Sequence, residues 1–168
     1  MSEFPLAAAE VASIREQLLA VLEARGAELG PPDAALRDFL KRQRLDQQID
    51  QLKETGSPFA VITLDVDNFK AINDQYTHQA GDAVIKQIED VLEKSGYPWA
   101  RHASASDEFT LVVPAADLQK AVALAEKLRA EIEQQDGSNV KFTASFGVAA
   151  STSDVAPTID VREAADKA

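Results

Sequence analysis

The chain has 168 residues, 45% of them hydrophobic, enough to bury a core in one domain with an appendage. Its 28 Asp and Glu against 17 Lys and Arg leave a net charge of −11, which argues against binding DNA or RNA, because affinity for a phosphate backbone rests on cations that displace counterions. Cysteine is absent, as suits a reducing compartment; no apolar run approaches the roughly 20 residues that cross a bilayer, and residues 1–5 lack the basic and apolar regions of a leader, so the chain reads as cytoplasmic with no membrane span.

In chain order, Val11, Ile14, Leu18, Val21 and Leu22 fall on one helical face over residues 8–25. That stripe can pack on its own domain, or pair with a second copy or a partner protein. Gly26 and Gly30-Pro31-Pro32 end it, dividing an N-terminal helical segment, 1–32, from a domain over 33–168. Asp33 is suited to cap a second helix carrying Leu36, Phe39, Leu40, Leu45, Ile49 and Leu52, closed by Thr55-Gly56-Ser57-Pro58.

The run Phe59 to Leu64 is apolar on both faces, as a central strand covered by helices requires. A helix follows over about Gly81 to Lys94, with Val84, Ile88, Val91 and Leu92 on one side, and Ser95-Gly96-Tyr97-Pro98 stops it. Trp99 to Ala103 and Phe109 to Pro114 read as the strands of a hairpin, with Ser104 to Glu108 at its tip. Leu118, Val122, Ala125, Leu128 and Ile132 mark another helix, 136–139 a turn and Val140 to Ala150 a last strand, before a Ser/Thr/Pro loop and a short helix from Ile159. The order βαββαβ predicts an α/β fold of the α+β type: a ferredoxin-like or palm-type sheet with helices packed on one face, plus the N-terminal helical extension.

In that topology the first strand neighbours the hairpin, which brings Asp65 and Asp67 toward Asp107 and Glu108. Oxygen-only donors suit Mg²⁺ or Mn²⁺, which keep several waters and bridge to nucleotide phosphates; in a chain with 28 acidic residues, strand-end carboxylates also arise by chance. A carboxylate such as Asp82 matches the paired N–H donors of guanine, with Asn73 able to donate and accept beside it. The alternative is that Asn73-Asp74 forms a turn and Asp82 caps the helix from Gly81. His78 is read as a loop or packing residue, since no partner is near it in sequence.

Residues 64–74 (Leu-Asp-Val-Asp-Asn-Phe-Lys-Ala-Ile-Asn-Asp) and 77–82 (Thr-His-Gln-Ala-Gly-Asp) resemble the first signature of GGDEF domains, the diguanylate cyclases. Asp107-Glu108-Phe109 resembles the end of the namesake motif, Thr143 to Val148 the last core strand, and Ala165 to Ala168 the start of the terminal helix; weaker similarity begins near Leu36. The family condenses two GTP into cyclic di-GMP, each subunit of an antiparallel dimer holding one GTP on Mg²⁺. By position, the resemblance implies that Asp65 and Asp107 hold the metal with help from the main chain of Val66. It puts Glu108, and with it Asp107, at the catalytic centre, Asn73 and Asp82 on guanine, and Lys70 near the phosphates.

Departures accompany these matches. Ala105 and Ser106 replace the two glycines at which the family's backbone approaches nucleotide, Thr77 replaces a glycine, and residues 36–39 (Leu-Arg-Asp-Phe) stand where the family has Leu-Thr-Gly-Leu, although Arg42 persists. The Arg-x-x-Asp of the inhibitory product site is replaced by 96–99 (Gly-Tyr-Pro-Trp), and the basic residues that follow Ala168 in the family are absent from this sequence. The preferred expectation is a degenerate GGDEF domain that binds GTP and Mg²⁺ as a regulatory or interaction module with little or no cyclase activity. The alternatives are a slow cyclase and a purely structural interaction domain.

Overall fold

The computed structural model describes residues 9, 10, 12–14, 16, 17, 20, 32–103, 106–135 and 138–151. The described positions before residue 32 are helical, with Ile14 half-buried. The rest of the Val11-to-Leu22 stripe, the helix expected from Ile159, and Ala105 lie outside the described residues.

Helix α1 (Pro32–Glu54) leads into strand β1 (Phe59–Val66). It starts at Pro32, whose fixed φ suits the first helical position, so Asp33 lies inside the first turn rather than at the cap. Two helices follow β1: short α2 (Phe69–Gln75) and α3 (His78–Ser95). Strands β2 (Trp99–Arg101) and β3 (Glu108–Pro114) come next, then α4 (Leu118–Gln134) and β4 (Ala144–Ala150). Strand order is β2-β3-β1-β4 with every neighbouring pair antiparallel, the split βαβ arrangement the element order predicts.

Helix ends follow local chemistry. The Thr77 hydroxyl accepts the Ala80 N–H and starts α3 three residues before Gly81, so Asp82 is an interior helical residue and not the cap. Gly96, at φ 76°, closes α3 in the left-handed conformation that costs glycine little. Asp117 caps α4 through the Lys120 N–H. Asn73 and Asp74 lie within α2, not in a turn. His78 is the exposed first residue of α3, neither loop nor packing.

Two strands are shorter than their sequence patterns. Beyond Arg101 the chain turns, with the Ser106 N–H bonded to the Ala103 carbonyl, which ends β2 before Ala103. Val140 is buried, but its carbonyl takes the Ser138 hydroxyl instead of a ladder partner, and β4 starts only at Ala144.

The main core lies between one sheet face and helices α3 and α4: Ala60, Ile62, Leu64, Phe109 and Leu111 meet Val84, Ile88, Leu92, Leu128 and Ile132. The helices are not confined to that face. Leu45 of α1 joins Phe59, Ala100 and Val112 on the reverse face, with Ile49, Leu52 and Val61 against them. This explains why β1 is apolar on both sides. The N-terminal half of α1 follows edge strand β2 toward α3: Lys41 Nζ lies 3.5 Å over the Trp99 ring, and Arg37 reaches Glu89 at 3.4 Å. The α1 helix thus shields the backbone edge that β2 would otherwise present.

Candidate functional site at the end of strand β1

The β1–β3 register sets Asp65 directly opposite Glu108, and the Val66 N–H bonds the Asp107 carbonyl at 3.4 Å. Directly opposed residues of antiparallel strands project from the same face, where like charges repel. The imidazole of His102, a residue sequence reasoning passed over, lies 3.9 Å from the Glu108 carboxylate. The His102 N–H also bonds the Glu108 carbonyl at 2.9 Å.

Asp67 is occupied differently. Its carboxylate accepts the Thr143 and Ser145 hydroxyls at 2.5 Å each, and its N–H bonds the Thr143 carbonyl at 2.9 Å. It ties the end of β1 to the segment entering β4, so only Asp65 of the first acidic pair faces the hairpin carboxylates.

Helices α2 and α3 bring Asn73 and Asp82 to this same end of the sheet. A Cβ built on Gly81 would lie 1.9 Å from Asn73 Oδ1 and 3.3 Å from Phe69 Cζ. The Asn73 amide therefore rests on the bare backbone of Gly81, next to Asp82. A glycine inside a helix costs about 1 kcal/mol against alanine, and that local cost is the signal that would have flagged Gly81 as a packing requirement. Asp82 and Lys70 are exposed, and Asn73 is half-buried.

The turn before β3 is closed on itself. Ser106 Oγ accepts the Glu108 N–H at 3.0 Å, and the Ser106 carbonyl accepts Arg101 Nε at 2.5 Å. Burial pushes the Arg101 guanidinium down from its ordinary value, opposed by Asp38, Glu89 and Asp82. The sequence clue to Arg101 is a lone cation ending an apolar strand.

No group of three or more His, Cys, Asp or Glu is poised as a preformed metal cage among the described residues. Asp65 and Asp107 with main-chain oxygen still fit a hard cation, because Mg²⁺ is ordinarily held by one or two carboxylates together with substrate phosphates. No helix among the described residues is long and apolar enough to cross a membrane.

Comparison with known proteins agrees with this geometry. The family model described as "Diguanylate cyclase, GGDEF domain" matches residues 37–168. Diguanylate cyclase VdcA of Vibrio cholerae serotype O1 is 32% identical over 152 residues, covering 83% of this chain and 42% of VdcA. "Probable diguanylate cyclase DgcT" of Escherichia coli (strain K12) is 34% identical over 87 residues, 51% of this chain and 19% of DgcT, so the chain spans under half the length of either relative. A sensory box/GGDEF family protein from Caulobacter crescentus CB15 has a solved structure 32% identical to this chain, with TM-score 0.56, covering 76% of this chain and 86% of that one. The active GGEEF domain of a diguanylate cyclase from Vibrio cholerae is 25% identical with TM-score 0.59, covering 71% and 79%. With the family match running over most of its length and the same architecture beneath it, this chain belongs to the GGDEF domain family.

Proposed function

We propose that this GGDEF domain binds guanine nucleotide together with Mg²⁺ or Mn²⁺ and serves as a regulatory or interaction module of cyclic di-GMP signalling, with little or no cyclase turnover. The observation that carries the reading is the seating of the Asn73 amide on Gly81, the residue before Asp82, together with Ala105-Ser106 in the signature turn where the family has glycines. In that turn Ser106 spends its hydroxyl on the Glu108 N–H. Asp82 accepts the paired N–H donors of guanine, and Asn73 supplies a complementary donor and acceptor. Lys70 stands beside the phosphates, while Asp65 and Asp107, with the Val66 main chain, provide oxygen donors for the metal. A bound divalent ion would neutralise phosphate charge and polarise the reacting group. Glu108 stands by the ribose and phosphate, with Ser106 on the approach, and Ala105-Ser106 in the sequence where the family carries two glycines. This reading sets the domain in the cytoplasm, where its proposed ligand GTP is found.

A second reading, a slow diguanylate cyclase, is favoured by the retained Asp65, Asp107 and Glu108. The deciding experiment is calorimetric titration of GTP with Mg²⁺ into wild type and Asp82→Ala, with chromatography of the same mixtures for cyclic di-GMP. Binding that weakens at least about tenfold in the variant, the scale set by removing a charged hydrogen-bond acceptor, with no product, is the expected result. Product in the wild-type mixture would establish the cyclase. Absence of GTP binding would refute the nucleotide site and leave a domain that works through its surfaces.

A further inference from the structure

Arg101, the last residue of β2, joins three parts of the fold. From α1, Arg42 Nη1 donates to the Arg101 carbonyl at 3.2 Å. Arg101 Nε donates to the Ser106 carbonyl at 2.5 Å, one residue before Asp107. Burial of its charge is opposed by the field of Asp38 on α1 and of Glu89 and Asp82 on α3; Asp38 is only 1% exposed and takes Arg37 Nη2 at 3.3 Å. A largely buried cation needs a hydrogen-bond acceptor and anions near it, because desolvating it unpaired costs several kcal/mol. The planar guanidinium holds its donors in a fixed fork and so aims Nε at the Ser106 carbonyl as a flexible ammonium does not.

We propose that Arg101 is a positioning residue that ties helix α1 to the signature turn, so that the seating of α1 on the domain sets the geometry of Ser106, Asp107 and Glu108. The link runs from Arg42 through the Arg101 main chain and side chain to the Ser106 carbonyl. From there it passes along the covalent chain to Asp107, which meets Val66, and through Ser106 Oγ to the Glu108 N–H. Residues 1–31 precede α1 in the chain, so a displacement passed on to α1 reaches the turn by this route. A purely structural ion cluster would not end on a carbonyl adjoining a candidate metal ligand. The proposal rests on the guanine-nucleotide reading only for its consequence on ligand affinity; the mechanical link stands without it.

The test is hydrogen–deuterium exchange on the full chain without nucleotide, for wild type, Arg42→Ala, Arg101→Gln, the double variant, and Arg129→Ala as a remote surface control. The same proteins are titrated with GTP and Mg²⁺. Arg42→Ala and Arg101→Gln are each expected to speed exchange over residues 102–109 by about tenfold, the scale of losing one hydrogen bond to a charged group. Amides of α4 keep wild-type rates, and the double variant exceeds Arg101→Gln by little, as members of one chain of contacts do. Unchanged exchange over 102–109 in Arg101→Gln overturns the proposal, as does a silent Arg42→Ala or additive effects in the double variant. A rise that also includes α4 in Arg42→Ala signifies general loosening and equally overturns it. If Arg101→Gln fails to fold, Arg42→Ala decides alone. Faster exchange at the turn with no GTP binding even in wild type supports the link while refuting the nucleotide site.

Discussion

At Gly81 a single hydrogen atom decides where Asn73 can lie. A methyl group there would overlap the Asn73 amide, with Oδ1 at 1.9 Å and Cγ at 2.9 Å. Gly81→Ala gains about 1 kcal/mol of helix propensity but incurs an overpacking cost of about 1–3 kcal/mol. It is expected to lower the melting temperature and to weaken GTP binding by displacing Asn73. In an Asn73→Ala background the clash is gone, so the same change should raise the melting temperature; thermal unfolding of the four proteins tests this, and a stabilising Gly81→Ala in the wild-type background would contradict the packing. Asn73 and Asp82 are singled out together by their chemistry and by the family resemblance, and the structure seats Asn73 on Gly81, the residue before Asp82. Asp67 was misjudged, since the hydroxyls that occupy it, Thr143 and Ser145, come from a segment that local sequence patterns do not connect to it. Arg101 and His102 were overlooked for a related reason: their partners, Ser106 and Glu108, become neighbours only when the hairpin closes.

The contact of α1 and α3 with edge strand β2 is an ionic seam with pH behaviour of its own. Glu89 takes Arg37 at 3.4 Å, yet its burial outweighs that attraction and raises its pKa from 4.5. A carboxyl that binds its proton more firmly in the native state favours folding at low pH. Its contribution falls as pH rises from the unfolded value through the raised folded one. Glu93 runs the other way, lowered first by the Trp99 indole hydrogen bond and then by Lys41. Its contribution is present above 4.5 and is lost as pH falls through the lowered value, and solvent screening keeps it small because the side chain is 72% exposed. Glu89→Gln is therefore expected to melt higher than wild type at pH 7, with the gap closing toward pH 4; melting curves across that range check it, and a gap that widens on acidification would reverse the assignment. Long elements such as α1, α3, α4 and β1 were legible because 3.6-residue periodicity or a continuous apolar run declares them. The seven-residue α2 was not, since two apolar positions, Phe69 and Ile72, make no period. The edges of β2 and β4 were set by turns and by Ser138, which no strand pattern reveals.

Across the whole molecule, antiparallel order β2-β3-β1-β4 gathers residues from β1, α2, α3 and the β2–β3 connection at one end of the sheet. The reverse face carries α1, the cover that the two-sided apolar run of β1 calls for. The chain is also strongly anionic, at −11, and the proposed site would present Asp65, Asp82, Asp107 and Glu108 to a ligand that is itself a polyanion. On that proposal long-range repulsion opposes the triphosphate, and Lys70 is the cation assigned to the phosphates. The metal must then supply the missing attraction, so chelating divalent ions with EDTA is expected to weaken GTP binding at least about tenfold, or 1.4 kcal/mol. Raising NaCl from about 0.1 M to 1 M shortens the screening length from about 10 Å to 3 Å, which should partly restore affinity in the chelated sample by screening that repulsion. Calorimetry at the two salt concentrations, with and without EDTA, reads both effects. If salt instead weakens metal-free binding, the triphosphate is gripped by cations of the protein, and the carboxylates at the end of β1 are not a metal-dependent nucleotide site.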